Sequence, residues 1–164
     1  MKKFIKYSLF GVIYLVIIFV LAITFIVTAN ADLTKPNNGI EPYQVVNIQL
    51  TGLKNNDTPS KNNGIEQTWE FAHPINKKYT GPLPRFINLL NSESYKMLLN
   101  HIENEIIEVF KSSNRYGFEV TILATDKNYY KFQWVVEKYY EEGPLKDCWL
   151  TTSVSNPVSL GSSI

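Results

Sequence analysis

The order in which hydrophobic periods change along the chain predicts an α+β domain. Three observations carry this. Apolar residues up to about position 100 recur at helical spacing, those from Phe118 to Val136 largely alternate, and the aromatic residues concentrate after Trp69, as strands prefer. Helices first and a meander of strands afterwards give two layers around one core, with the sheet wrapped over the helices.

The first element is a targeting segment at residues 1–31. A basic head, "MKKFIKY", precedes "SLFGVIYLVIIFVLAITFIVT", an uncharged run at residues 8–28. At about 1.5 Å per residue, a helix of that length crosses a hydrocarbon core of about 30 Å. Lysines before the run keep the head in the cytoplasm and send the rest across. Ala29-Asn30-Ala31 offers a signal-peptidase site between Ala31 and Asp32, but the run exceeds the roughly 7–15 residues usual in a cleaved signal. An uncleaved anchor is therefore read ahead of a cleaved signal peptide. The expected location is a single-pass inner-membrane protein of a bacterial cell with its domain outside the cytoplasm, or a periplasmic or secreted protein if the segment is cut.

Residues 32–41, "DLTKPNNGIE", are rich in turn formers and read as a linker. Pro42 suits the first turn of a helix through "YQVVNIQLTGLKN", with Val45, Ile48, Leu50 and Leu53 on its apolar side and Gly52 near its end. After the polar loop "NNDTPSKNNG", a second helix is expected across "GIEQTWEFAHP", with Ile65, Trp69 and Ala72 on one face and Pro74 ending it. "GPLPRFINLLNS" turns and starts a third helix that buries Phe86, Leu89 and Leu90. "IENEIIEVFK" fits strand or helix. "FEVTILA" and "YYKFQWVVEKYY" are half-buried strands joined by the tight "DKN" connection, and "DCWLTTSV" is the last strand. The domain is placed at residues 42–156 and a frayed tail at 157–164.

Charge and cysteine usage exclude several classes. The sixteen Lys and Arg, less Lys2, Lys3 and Lys6, leave thirteen against fifteen Asp and Glu. That balance suggests no nucleic-acid partner. Cys148 is the single cysteine and reads as a buried thiol. His73 and His101 lie far apart with no metal-binding spacing, and there is no phosphate loop or nucleophile motif, so neither a metal nor a cofactor is expected.

Several motifs resemble a little-characterised family of small domains, found in bacteria and photosynthetic eukaryotes, within the NTF2-like (cystatin-cone, SnoaL-like) superfamily. The resemblance covers about residues 43–156. It rests on Asn56, Asp57 and Pro59, on Gly64 and Ile65, on Phe71, Ala72 and Pro74, on Gly81, Pro82, Arg85 and Phe86, and on Leu98, Leu99 and His101. His73 departs from the small polar residue expected there. The resemblance implies a cone, N-terminal helices packed in a curved antiparallel sheet with a pocket at the open end, and it implies no particular reaction.

Two functions follow as expectations. The first is a ligand-binding or protein-interaction module, with a small molecule, a second copy of the chain or an envelope protein as partner. The alternative is a cone-pocket lyase, isomerase or hydrolase. An acid-base pair there would be Asp57 and His101, and Arg85, Trp69 and Tyr79 are candidate ligand-binding residues. Four of these five have a structural counterpart. Asp57 fits a turn carboxylate accepting backbone N–H bonds, His101 a hydrogen-bonded anchor, Arg85 a tie from its turn to Asp57 or Glu70, and Trp69 a core aromatic. Asn56-Asp57-Thr58 is a formal glycosylation sequon, with no expected role in a bacterium.

Overall fold

The computed structural model describes residues 32–162, which form one compact unit. The apolar run at 8–28, Ala31 and the last two residues lie outside the described residues. Among those described, no helix is long and apolar enough to cross a membrane.

The first helix, α1 (Pro42–Lys54), starts where expected, with Pro42 in its first turn and the Glu41 N–H donating to Gln44 Oε1 at 2.8 Å. Its buried stripe is Val45, Val46, Gln49, Leu50 and Leu53, so the inward face is rotated from the expected one and Ile48 is only half-buried. The loop after it reaches α2 (Asn63–Glu70), which buries Gly64, Ile65 and Thr68.

The two helices touch at glycines. A Cβ on Gly64 would overlap the Gly52 carbonyl and come within 2.9 Å of Asn56 Cα. Gly52, an interruption of the apolar pattern, is thus a contact surface.

Here the structure departs from the sequence expectation. The second helix stops at Glu70, and Pro74 opens a new helix, α3 (Pro74–Thr80), instead of ending the old one. Between them the chain at Phe71–His73 leaves the helix and pairs with a later strand. His73 N–H donates to Thr151 O and Thr151 N–H to Phe71 O, both at 2.8 Å. The physical reason lies in the residue before proline, which is pushed out of the helical region, whereas proline itself suits a first turn. Ala72 is therefore buried at a bridge and shares no helix face with Ile65. Gly81, at φ +84°, ends α3, and α4 (Leu83–Leu90) follows, burying Phe86 and Leu90. A 3-10 turn at Lys96–Leu98 leads to the sheet.

The strands are β1 (Glu103–Lys111), β2 (Arg115–Leu123), β3 (Asn128–Lys138), β4 (Trp149–Val154) and β5 (Val158–Ser162), all antiparallel to their neighbours. "IENEIIEVFK" is thereby resolved as strand. The order is β1-β2-β3, with β4 and β5 end to end along the remaining edge of β3. Ser155 bridges the gap between them, its N–H donating to Gln133 O and its hydroxyl accepting from Gln133 N–H, both at 2.9 Å.

The expected frayed tail is thus corrected, since residues 158–162 complete a sheet edge that would otherwise leave β3 backbone groups unpaired. Residues 32–41 carry no regular secondary structure, and the fold holds them at two points. Thr34 N–H donates to Gln67 Oε1 at 2.8 Å, Gln67 Nε2 donates to Thr34 O at 2.9 Å, and Lys35 pairs with Glu70 at 2.9 Å.

Phe118, Val120, Ile122, Phe132, Trp134 and Val136 face the helices as one buried layer. β1, the edge strand, is exposed at every residue except the half-buried Ile106. Cys148 is buried, and burial raises its thiol pKa. The Gly52–Gly64 contact makes a direct demand. Gly64→Ala should lower stability by about 1–3 kcal/mol, read as a lower denaturation midpoint. An unchanged midpoint would show that the helix crossing tolerates a methyl group there.

Candidate functional site

Gln49 is a carboxamide in the middle of the apolar stripe of α1, and a buried amide must find partners at both ends. Its Oε1 accepts from the Thr151 hydroxyl at 2.6 Å and from the Trp134 indole N–H at 3.1 Å. Its Nε2 donates to Thr68 O at 3.0 Å. Thr68 Oγ1 donates to Gly64 O at 2.8 Å, and Trp134 Nε1 also lies 3.2 Å from Thr151 Oγ1. Two helices and two strands are joined through one side chain. Among the described residues no buried side-chain nitrogen or oxygen lacks a partner.

This network is the polar end of a cavity of about 70 Å³. The apolar lining comes from Leu53 of α1, from Phe86, Leu89 and Leu90 of α4, from Leu98 and from Val154. α3 buries no residue of its own but contributes Asn76 and Thr80 to the lining. Asn76 Nδ2 donates to Thr151 O at 3.2 Å, and Thr80 Oγ1 donates to Asn76 O at 2.9 Å. Among the described residues Tyr95 is the only titratable side chain in the lining, and burial raises its pKa, so the phenol stays neutral near pH 7. The cavity can hold an apolar body and one hydrogen-bonding group. It offers no general base and no charge.

None of the five candidates from the sequence lines the cavity. Asp57 is exposed, and its Oδ1 accepts from Asn62 N–H at 2.9 Å and Asn56 Nδ2 at 3.0 Å. His101 is buried. Its Nδ1 stands 2.8 Å from Leu98 O, which can only accept, so that nitrogen carries the proton. Its Nε2 lies 3.1 Å from the side-chain amide of Asn104. Arg85 is exposed and packs against Gly81, while Glu70 pairs with Lys35 instead. Trp69 leans on Phe86 with ring centroids 5.0 Å apart, and Tyr79 is 75 % exposed. No hydrogen bond or ion pair joins Asp57, His101 and Arg85 among the described residues.

Asn56 is 2 % exposed, with Oδ1 accepting from Ile65 N–H at 3.1 Å, so its sequon amide is inaccessible. Among the described residues no group of three His, Cys, Asp or Glu is placed to hold a metal.

Sequence reasoning missed Gln49, Thr151, Asn76 and Tyr95 as lining residues. One signal was available, since Gln49 lies four residues from both Val45 and Leu53 on an otherwise apolar stripe. Comparison with known proteins finds no matching family model, curated protein or solved structure.

His73 caps α3. Its Nδ1 accepts from Ile75 N–H at 3.1 Å, and its ring meets Tyr139 edge-on at 5.3 Å. Burial lowers its pKa below 6.5, and Glu137 and Glu141 pull the other way. A protonated Nδ1 cannot accept the cap, and its charge opposes the positive end of the helix.

Two predictions follow from these side chains. Gln49→Leu should cost about 1–3 kcal/mol, because Thr68 O and the Thr151 hydroxyl lose a buried partner; no loss in a denaturation curve would refute the network's role. Because the folded pKa of His73 is depressed, its contribution is complete above pH 6.5 and drains away as pH falls through the lower folded value. Melts on the acid side of 6.5 should therefore drop more steeply than those of His73→Asn, which keeps a capping acceptor without titrating; parallel profiles would contradict this.

Proposed function

We propose that this chain is an exported, membrane-tethered binding domain of the NTF2-like type whose cavity takes a small uncharged ligand. One observation carries the reading. The cavity lining combines an apolar wall with a mutually hydrogen-bonded polar end and contains no side chain charged at neutral pH. A charged substrate would lose its hydration there without finding a counter-charge, whereas a neutral molecule with one donor or acceptor loses little.

The cone description is supported by the helices-then-meander order and by the resemblance in sequence. The tether is supported by the uncharged run at 8–28 after three lysines. Ligand size follows from volume. A cavity of about 150 Å³ accommodates benzene, so about 70 Å³ suits a branched or short aliphatic group, either a whole small molecule or the end of a longer one. The enzyme alternative has little support, since Asp57 and His101 lie outside the cavity and spend their polar atoms on neighbouring groups.

The test uses the full chain in nanodiscs, with native mass spectrometry to find a co-purifying neutral compound and thermal melts across a series of short neutral alcohols. Wild type should carry the compound or gain stability along the series, and Leu89→Trp, which fills the cavity, should lose both effects while remaining folded. Wild type that carries nothing and responds to no alcohol would refute the proposal.

A further inference from the structure

The chain between the apolar run and the fold is short, and the fold grips it early. Residue 28 ends the run and Thr34 is already clamped by both ends of the Gln67 carboxamide, with Lys35 on Glu70 beside it. Six residues at about 3.5 Å each span at most about 20 Å. With the segment uncleaved, as the proposed function holds, the clamp on α2 stays within that reach of the bilayer boundary.

The surface beside the clamp has unusual chemistry. The domain as a whole carries slightly more acid than base, yet residues 71–92 contain Lys77, Lys78 and Arg85 and no Asp or Glu. Lys77 links this surface to the clamp, since its Nζ stands 5.1 Å from the centroid of the Trp69 ring and it feels both Glu70 and Lys35. On α3 the cavity takes Asn76 and Thr80, while Ile75, Lys78 and Tyr79 are exposed. Ile75 is 48 % and Tyr79 75 % exposed, one helical turn apart and so on one side. Of the acids that bear on the helix, Glu70 acts on Lys77 and is paired with Lys35, and Glu137 and Glu141 act on His73 at its start. An aliphatic residue and a tyrosine flanked by basic side chains form the composition that sits at a lipid headgroup layer.

We infer that the exposed side of α3, with Ile75, Lys78 and Tyr79 and the neighbouring Lys77 and Arg85, docks on the surface of the anionic membrane to which the chain is tethered. Tether and patch act together. The tether keeps the local concentration of lipid surface high, and the basic residues then select the docked orientation, so a patch too weak to bind membranes alone is sufficient. Docking sets α3, which carries Asn76 and Thr80 of the cavity lining, between lipid and ligand site.

The test places an environment-sensitive fluorophore at Tyr79→Cys in a Cys148→Ser background of the full chain. It is reconstituted in phosphatidylcholine vesicles with and without phosphatidylglycerol, with a control probe at Glu142→Cys on the loop after β3. Docking predicts a blue-shifted probe at 79, quenched by headgroup spin labels when phosphatidylglycerol is present and relieved by salt, and a probe at 142 that stays in water. Lys78→Gln and Arg85→Gln should each lower the docked-to-free ratio about fivefold while leaving the melting temperature unchanged. If the chain resists an alkaline wash but position 79 stays as wet as 142, docking is overturned and the tether stands. If the wash releases the chain, the tether reading fails and takes the docking inference with it.

Discussion

A single buried carboxamide holds the arrangement together. Gln49 carries two hydrogen-bonding ends on one flat group, and the fold uses both, tying α1 to Thr68 of α2 on one side and to Trp134 and Thr151 of the sheet on the other. An aliphatic residue there would pack equally well yet leave the distance between helix and sheet less defined. The amide fixes it, because Thr68 O and the Thr151 hydroxyl would each lose a buried partner without it. The cavity exists beside this group since its polar end is a ring of hydrogen bonds that needs nothing more to be stable.

The residues that look most chemical are absorbed in architecture. Asn56 and Asp57 form the entrance to α2, one accepting from Ile65 N–H and the other from Asn62 N–H, while Gly64 N–H donates to Asn56 O at 2.9 Å. Next to them Gly52 and Gly64 bring the two helices into backbone contact. His101 secures the junction between the 3-10 turn and β1 through Leu98 and Asn104. A motif of this kind marks a turn geometry that other side chains reproduce poorly, and its presence in a sequence says little about catalysis.

Where the pattern is periodic, the sequence was legible. Phe118, Val120, Ile122, Phe132, Trp134 and Val136 could be placed on one face because alternation leaves no other choice. α3 was not, because its seven residues bury nothing and leave no apolar period, and only Pro74 announces it. β5 was lost for a similar reason. "VSLGS" is short and wholly exposed, and its existence depends on the unpaired edge of β3, a tertiary fact. The cavity was illegible because its polar members come from five separate elements and the turn at Tyr95, and are ordinary amides and hydroxyls with one indole. The charged and imidazole side chains that attract notice in a sequence lie elsewhere.

The proposed site takes a neutral ligand and holds no acid-base pair among the described residues. Methyl NMR of the full chain in nanodiscs tests it most directly, by titrating a short aliphatic alcohol and the carboxylate of the same chain length. Saturable shifts are expected at Leu53, Leu89, Leu98 and Val154 with the alcohol alone. Saturable shifts with the carboxylate, centred on the surroundings of Asp57, Arg85 or His101 while the cavity methyls stay still, would contradict it.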